Sequence, residues 1–110
     1  MLINEYQDRS TRTLNRALSD DEQLLNHVIG LVGEAGEVLD LLKKYRFQGH
    51  DLNKKKMIEE LGDVFYYLAG IATSLNVDLE RVAQNNIDKL LKRYPDGFNP
   101  EYSRNRDGTA

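Results

Sequence analysis

Two pairs of acidic residues are placed symmetrically about one point in this chain of 110 residues. The pairs are Glu34 with Glu37 and Glu60 with Asp63. Their i, i+3 spacing puts the two carboxylates of each pair on one face of a helix. The midpoint of Glu37 and Glu60 and the midpoint of Glu34 and Asp63 both fall between positions 48 and 49. A helical hairpin that turns there is therefore predicted, with Glu37 facing Glu60 and Glu34 facing Asp63.

Four carboxylates at one level between packed helices repel one another, because like charges are held together away from water. A cation between them removes that repulsion. The pattern therefore predicts a metal site formed by Glu34, Glu37, Glu60 and Asp63. Asp40 and Glu59 point to other sides of their helices, so they are interpreted as solvated surface acids.

The spacing of apolar residues predicts an all-α fold, an antiparallel bundle of about four helices in one domain over 1–110. The two prolines, Pro95 and Pro100, lie near the C-terminus and leave the rest of the chain free to be helical. The predicted helices cover residues 3–17, about 20–46, a third that begins at Asp51 or Asn53 and runs to about 75, and about 79–94. Residues 98–110 are predicted to form an extended, non-helical tail.

Gly36 and Gly62 each lie inside one of the acidic pairs. A glycine costs about 1 kcal/mol in a helix interior. Two glycines at matching positions therefore predict that the two backbones approach closely there.

Weaker candidates share the helix faces that carry the acids, namely His27 and Lys44 on the second helix and Tyr67 on the third. Each has a plainer interpretation: His27 and Tyr67 as packing residues, and Lys44 as a cation at a helix C-terminus. We retain all three as candidates for the pocket around the acids.

The fourth predicted helix carries a basic face. Asn86, Lys89 and Arg93 follow i, i+3, i+7 spacing, and Tyr94 ends the helix beside them. Arginine grips phosphate with a planar fork and lysine supplies a compact charge. This face is therefore predicted to bind an anionic ligand.

Composition narrows the classes of function. A formal net charge of −3 argues against nucleic-acid binding through bulk electrostatics. The absence of cysteine excludes disulfides and thiolate chemistry. With no long apolar run and no signal-like segment, we expect a cytoplasmic protein without membrane contact.

These motifs resemble the MazG-like nucleoside triphosphate pyrophosphohydrolases of the all-α NTP pyrophosphatase superfamily. That family is marked by E-x-x-E, a spacer and E-x-x-D, which here are Glu34 to Glu37 and Glu60 to Asp63. The segments GLVGEAGEVLDLLKK, EELGDVFYYLAGIA, NNIDKLLKRYPDGF and YSRNR are also similar to the family. The likeness runs from about Leu24 to Arg106.

The resemblance implies hydrolysis of a nucleoside triphosphate to the monophosphate and pyrophosphate. Mg²⁺ is the implied cofactor, with Mn²⁺ as a substitute, and a hard cation suits carboxylate oxygens. The four acids would hold the metal, with Glu37 or Glu34 as the base that takes a proton from water. The resemblance assigns the phosphate side to Asn86, Lys89, Arg93 and Tyr94, and pocket closure to Ser103, Asn105 and Arg106. It further implies a homodimer or homotetramer.

Three alternatives stay open at this point. A relative specific for dCTP, dUTP or phosphoribosyl-ATP would use the same acids. A non-enzymatic helical bundle would present them as a solvated seam. A di-iron carboxylate bundle is disfavoured, because it normally uses Glu-x-x-His pairs and neither acidic motif here ends in histidine.

Overall fold

The computed structural model describes residues 1–105. In this range the regular secondary structure is helical, with loops between the helices and no β-strand. The all-α fold class is therefore confirmed. No helix in this part of the chain combines the length and the apolar character needed to cross a membrane. The elements are α1 (Ile3–Ser10), a 3-10 turn (Thr11–Thr13), α2 (Asp20–Phe47), α3 (Lys54–Ser74), α4 (Leu79–Arg93) and α5 (Pro100–Arg104).

The long helices α2 and α3 form a hairpin whose ends are set by local signals. Ser19 begins α2, with its hydroxyl accepting from the amide of Glu22 at 3.2 Å while the Glu22 carboxylate accepts from the amide of Ser19 at 3.0 Å. Gly49 follows the end of α2 with a φ of +73°, which glycine adopts without strain. Asn53 then begins α3 by accepting from the amide of Lys56 at 3.0 Å.

Two ring-on-glycine contacts fix the register of the hairpin. A Cβ atom at Gly30 would collide with the ring of Tyr67, and one at Gly70 would collide with the ring of His27. Both contacts are centred between positions 48 and 49, the point about which the acids are symmetric. The predicted register is therefore confirmed.

The position of closest approach differs from the prediction. At Gly36 and Gly62 the space where a Cβ atom would stand is open to 4 Å. The close approach predicted for these two glycines is thus wrong within the protomer. It occurs at Gly30 and Gly70, because each accommodates a bulky ring from the opposite helix.

The first helix is shorter than predicted and ends at Ser10 instead of residue 17. The hydroxyl of Ser10 donates to the carbonyl of Gln7 at 2.7 Å, and that of Thr11 donates to the carbonyl of Asp8 at 2.6 Å. Such bonds compete with regular helical hydrogen bonding. The chain therefore tightens into a 3-10 turn and leaves the helix after Thr13.

The first turn of α4 is capped by side chains of α1. The side-chain oxygen Oε1 of Gln7 accepts from the backbone amide of Leu79 at 2.7 Å. The side-chain nitrogen Nε2 of Gln7 donates to the backbone carbonyl of Val77 at 2.9 Å. Asn4 accepts from the amide of Glu80 at 3.1 Å. Asp78 occupies the cap position, but its side chain makes no capping bond. Residues from α1 thus fix where α4 starts.

The C-terminal tail departs from the prediction in one stretch, Pro100–Arg104, which forms the short helix α5. The Asn99 side chain accepts from the amides of Glu101 at 2.8 Å and Tyr102 at 3.4 Å. Pro100 suits the first helical position because its missing N–H is not needed there.

The buried core of the protomer is small. Ala69, Ala72 and Leu79 are its fully buried apolar residues in the described part, and Tyr6 and Phe65 pack against them. The side of α2 turned away from α3 carries an exposed apolar stripe, which we call the outer face of α2 (Leu25, Ile29, Val32 and Leu39). These side chains are 60–68% exposed. The radius of gyration is 17.1 Å, whereas a compact domain of this length has about 13 Å.

Candidate metal centre

Three of the four predicted acids come together between α2 and α3. Glu34, Glu60 and Asp63 can each place one carboxylate oxygen within 4.8 Å of the others. We call these residues the acid triad. Glu37 lies outside it and is exposed. The reason is geometric, since three residues of helix rotate a side chain by about 60°, which carries Glu37 away from the line that faces α3.

The triad contains one of the two predicted facing pairs, Glu34 with Asp63, and its third member is Glu60. Glu60 is buried, with 7% of its surface exposed, and Lys56 Nζ lies 3.2 Å from its Oε1. The ion pair follows from the i, i+4 spacing of Lys56 and Glu60.

The electrostatics show how the triad tolerates its own charge. The hydrogen bond with Glu60 raises the pKa of Glu34, and burial and the nearby Asp63 raise it further. The same bond lowers the pKa of Glu60, and Lys56 lowers it as well. The Lys56 ammonium thus offsets part of the negative charge that the triad gathers.

A divalent cation fits this donor set. The triad offers hard oxygen ligands, and one of them, from Glu60, is buried and held in place. Asp63 is exposed, so the cluster is accessible from solvent. Carboxylate oxygens are the ligands that Mg²⁺ and Mn²⁺ prefer. A bound cation would offset the negative charge of the three carboxylates.

The weaker candidates beside the acids are engaged in packing. His27 is 3% exposed, and its Nδ1 donates to the carbonyl of Gln23 at 2.6 Å. Its ring lies over Gly70, as that of Tyr67 lies over Gly30. These contacts set the spacing of the helices that carry the triad.

The surface charges on the hairpin pair with each other. Lys44 Nζ lies 3.0 Å from the Asp40 carboxylate, an i, i+4 pair near the end of α2. Lys56 also lies 3.8 Å from Glu59. This favours the interpretation of Lys44 as a helix C-terminal cation and of Asp40 and Glu59 as surface acids.

The basic face of α4, formed by Asn86, Lys89 and Arg93, is not brought against the triad within one protomer. Asn86 and Lys89 are exposed. Arg93 is half-buried, and its Nε is buried without a hydrogen-bond partner in the part of the chain that is described. No ion pair within residues 1–105 joins this face to the triad.

The residues that follow α4 are only partly described. The ring of Tyr94 packs against Phe98, with 5.5 Å between the centroids. Ser103 lies in α5 and Asn105 ends it. Arg106, the last predicted pocket residue, lies outside the described residues.

The aromatic side chain of Tyr66, next to the triad, was not among the predicted site residues. Tyr66 follows Asp63 by three residues, so the two lie on neighbouring positions of one face of α3. Its hydroxyl shares a hydrogen bond with that of Thr13. The spacing to Asp63 was a visible signal, but the contact with Thr13 depends on how α1 docks.

Comparison with known proteins identifies the family. The model of the MazG nucleotide pyrophosphohydrolase domain matches residues 22–98, which include the acid triad and α4. The chain therefore belongs to the MazG nucleotide pyrophosphohydrolase family. No solved structure gave a significant match.

Two relatives are similar to more than half of the chain. Gene 37 protein of Mycobacterium phage L5 is 41% identical over 69 residues, which cover 59% of this chain and 60% of that protein. The dCTP pyrophosphatase 1 of Rattus norvegicus is 36% identical over 76 residues, which cover 64% of this chain and 45% of the relative. The chain thus spans about half the length of the curated relatives it matches.

Proposed function

We propose that this protein hydrolyses a nucleoside triphosphate to the nucleoside monophosphate and pyrophosphate with Mg²⁺ as cofactor. The observation that carries the proposal is the acid triad, three carboxylates whose oxygens can lie within 4.8 Å of one another and of which Glu60 is buried. Membership of the MazG family supports it. The proposed site of action is the cytoplasmic nucleotide pool.

The acids divide into holding and proton-accepting roles. Glu60, Asp63 and Glu34 would hold the cation, which when bound neutralises triphosphate charge and lowers the pKa of a bound water. Glu37, exposed one helical turn from Glu34, is free to take the proton of the attacking water. Glu34, the other acid of the same pair, is the alternative base.

The reaction then breaks the anhydride bond between the α and β phosphates. The water oxygen forms a new bond to phosphorus, its proton passes to the base, and pyrophosphate leaves with the electron pair of the broken bond. Lys89 and Arg93 would stabilise the charge on the departing group. Asn86 and Tyr94 would complete the phosphate side.

The substrate base is a finer question within the same proposal. The name of the rat relative makes dCTP a natural member of a substrate panel. The panel also includes dUTP, phosphoribosyl-ATP and other canonical and modified dNTPs and NTPs. All of them carry a phosphoanhydride that the triad could act on.

We also propose that the protein acts as a homodimer or homotetramer. The outer face of α2 exposes four large apolar side chains in a row, and α4 exposes Val82, Ile87 and Leu90 at 38%, 51% and 39%. Apolar faces of this extent mark interaction surfaces. Val32→Asp should dissociate the assembly, which sedimentation of the wild type and the variant will measure. A wild-type protein that sediments as a monomer would contradict this part of the proposal.

The activity itself is tested by incubating the full chain with Mg²⁺ and each substrate while measuring pyrophosphate and orthophosphate separately. Pyrophosphate release that requires Mg²⁺ is expected for at least one nucleotide. Release of orthophosphate alone would contradict the proposal. If no nucleotide reacts and Mg²⁺ does not raise the melting temperature, the non-enzymatic bundle is favoured, because a ligand of the folded state must stabilise it.

A further inference from the structure

A cleft of about 410 Å³ lies between α1, the following 3-10 turn and α3, beside the acid triad. Pockets that bind small molecules commonly have about 300–1,000 Å³. We call it the N-terminal cleft. Its lining includes Tyr6, Arg9, Ser10, Arg12, Thr13 and Tyr66.

The cleft begins one helical turn from the triad. Tyr66 follows Asp63 by three residues, which is a rise of about 4.5 Å along α3. Tyr6 approaches from the other wall, and its ring lies 4.7 Å from that of Phe65. Burial raises the pKa of Tyr6, and the nearby Tyr66 and Asp63 raise it further. The Tyr6 phenol therefore stays neutral at the edge of the acids.

The ring of Tyr66 is held in place by contacts within the protein. The hydroxyl of Tyr66 is held by Thr13, and its ring packs edge-on against Tyr67 with 5.2 Å between centroids and 78° between planes. A ring fixed in this way loses little freedom when a ligand stacks on it. Stacking on an aromatic ring contributes about 1–3 kcal/mol per nucleic-acid base.

The polar groups of the cleft can bind the base and the sugar of a nucleoside. Arginine offers hydrogen-bond donors only, in a plane that matches the keto edges of bases and also stacks on them. The hydroxyls of Ser10 and Thr13 can bond to a sugar. The family match begins at residue 22, so the walls from α1 and the 3-10 turn lie outside it.

We propose that the N-terminal cleft binds the base and ribose of the nucleotide, and that Tyr66 and Arg12 are its main contacts. This inference rests on the proposed function, because it is the position of the triphosphate over the triad that directs the nucleoside toward Tyr66. Substrate preference is then set by α1 and the 3-10 turn, while the hairpin performs the chemistry.

Product inhibition separates the two halves of the substrate. Arg12→Ala and Tyr66→Leu should each raise KM for the nucleotide and the inhibition constant of the nucleoside monophosphate about tenfold or more. The inhibition constant of pyrophosphate and kcat should change by less than about threefold. Arg81→Ala on the exposed side of α4 is the matched control and should leave all four values unchanged. Arg12 is exposed, so its truncation is compatible with folding even if Tyr66→Leu proves unstable.

Two results would overturn the inference. If Arg12→Ala weakens pyrophosphate as much as the monophosphate, the cleft binds phosphate and not the nucleoside. If both variants keep wild-type inhibition constants while the enzyme is active, the proposed function stands and the cleft is not the nucleoside site.

A binding measurement keeps the test independent of turnover. In NMR spectra of the full chain with labelled tyrosine, nucleoside monophosphates should shift the ring signals of Tyr6 and Tyr66. Signals of Tyr45 and Tyr102, which lie elsewhere, should stay in place. Shifts at Tyr45 instead would move the nucleoside to the apolar groove at the end of α2 and overturn the proposal. If the wild type cleaves no nucleotide but Tyr66 shifts, the hydrolase proposal fails while the cleft is retained as a nucleotide site.

Discussion

The α2–α3 hairpin and α4 carry the two halves of the proposed site, and the chain holds them in different ways. The hairpin is fixed by rings packed on Gly30 and Gly70, so the acids have definite positions within one protomer. Helix α4 is anchored at Leu79, and its residues from 81 to 90 are all exposed. Packing inside the chain thus places the carboxylates, whereas Asn86 and Lys89 on the basic face of α4 lie exposed.

The largest effect is expected from breaking the hairpin half. Glu60→Gln keeps the shape of the side chain but removes a buried charged ligand, so kcat should fall about a thousandfold, on the order of 4 kcal/mol. The Mg²⁺-dependent rise in melting temperature should disappear with it. Glu59→Gln, an exposed neighbour, should stay within about twofold of wild type. Equal losses of kcat in both variants would contradict a specific role of the triad in catalysis.

The α4 half should respond in activity but not in metal binding. Lys89→Ala is expected to lower kcat/KM about a hundredfold, because it removes the charge proposed to stabilise the leaving group. The rise in melting temperature with Mg²⁺ should persist, measured by thermal unfolding. Lys92→Ala removes the same charge from another side of α4 and should have little effect. Loss of the Mg²⁺-dependent rise in melting temperature in Lys89→Ala would contradict the assignment of metal binding to the hairpin alone.

The packing that fixes the hairpin can be tested with two glycines of the same helix. Gly70→Ala drives a methyl group into the ring of His27, so it should lower the free energy of unfolding by about 1–3 kcal/mol. Gly62→Ala meets open space and removes a flexible residue from a helix interior, so it should be neutral or stabilising by up to about 1 kcal/mol. Urea unfolding measures both. The opposite order would refute the register assigned to the hairpin.

The smallest effect concerns the titration of Glu34 in the triad. Because the hydrogen bond with Glu60 raises the pKa of Glu34, protons should compete with Mg²⁺ at this carboxylate, and the apparent Mg²⁺ affinity should fall as the pH falls through the Glu34 pKa. Above that pKa the affinity should become independent of pH. Calorimetry in two buffers of different ionisation enthalpy counts the protons released, which should be at most about one per metal. Asp40→Asn removes an acid whose pKa is lowered by Lys44, and it should not alter the count.

Much of the hairpin could be predicted from the sequence because its information is local. Helical spacing, the cap at Ser19 and the turn at Gly49 are short-range signals, and symmetry about one point gave the register. The exclusion of Glu37 from the triad could not be read this way, since it depends on which line of α2 faces α3. Helical periodicity alone does not determine, to within one residue, which side chains of α2 face α3.

Other features depend on contacts between distant parts of the chain. The prediction that α1 extends to residue 17 failed because Ser10 and Thr11 bond back to the preceding turn. The cleft beside Tyr66 exists only once α1 has docked. Asp78 stands at the cap position of α4, but the capping groups come from Gln7 and Asn4.

The cap that Gln7 provides has a consequence for how the chain assembles. Its bond to the Leu79 amide spans 72 residues and that of Asn4 to Glu80 spans 76. The hairpin can form from neighbouring segments, but the start of α4 gains its hydrogen-bond partners only when the N-terminal segment returns. During synthesis, Gln7 must wait until Leu79 has emerged from the ribosome. We therefore expect closure of α1 onto α4 to be the slow, late step of folding, because a long loop must be closed before its contacts form.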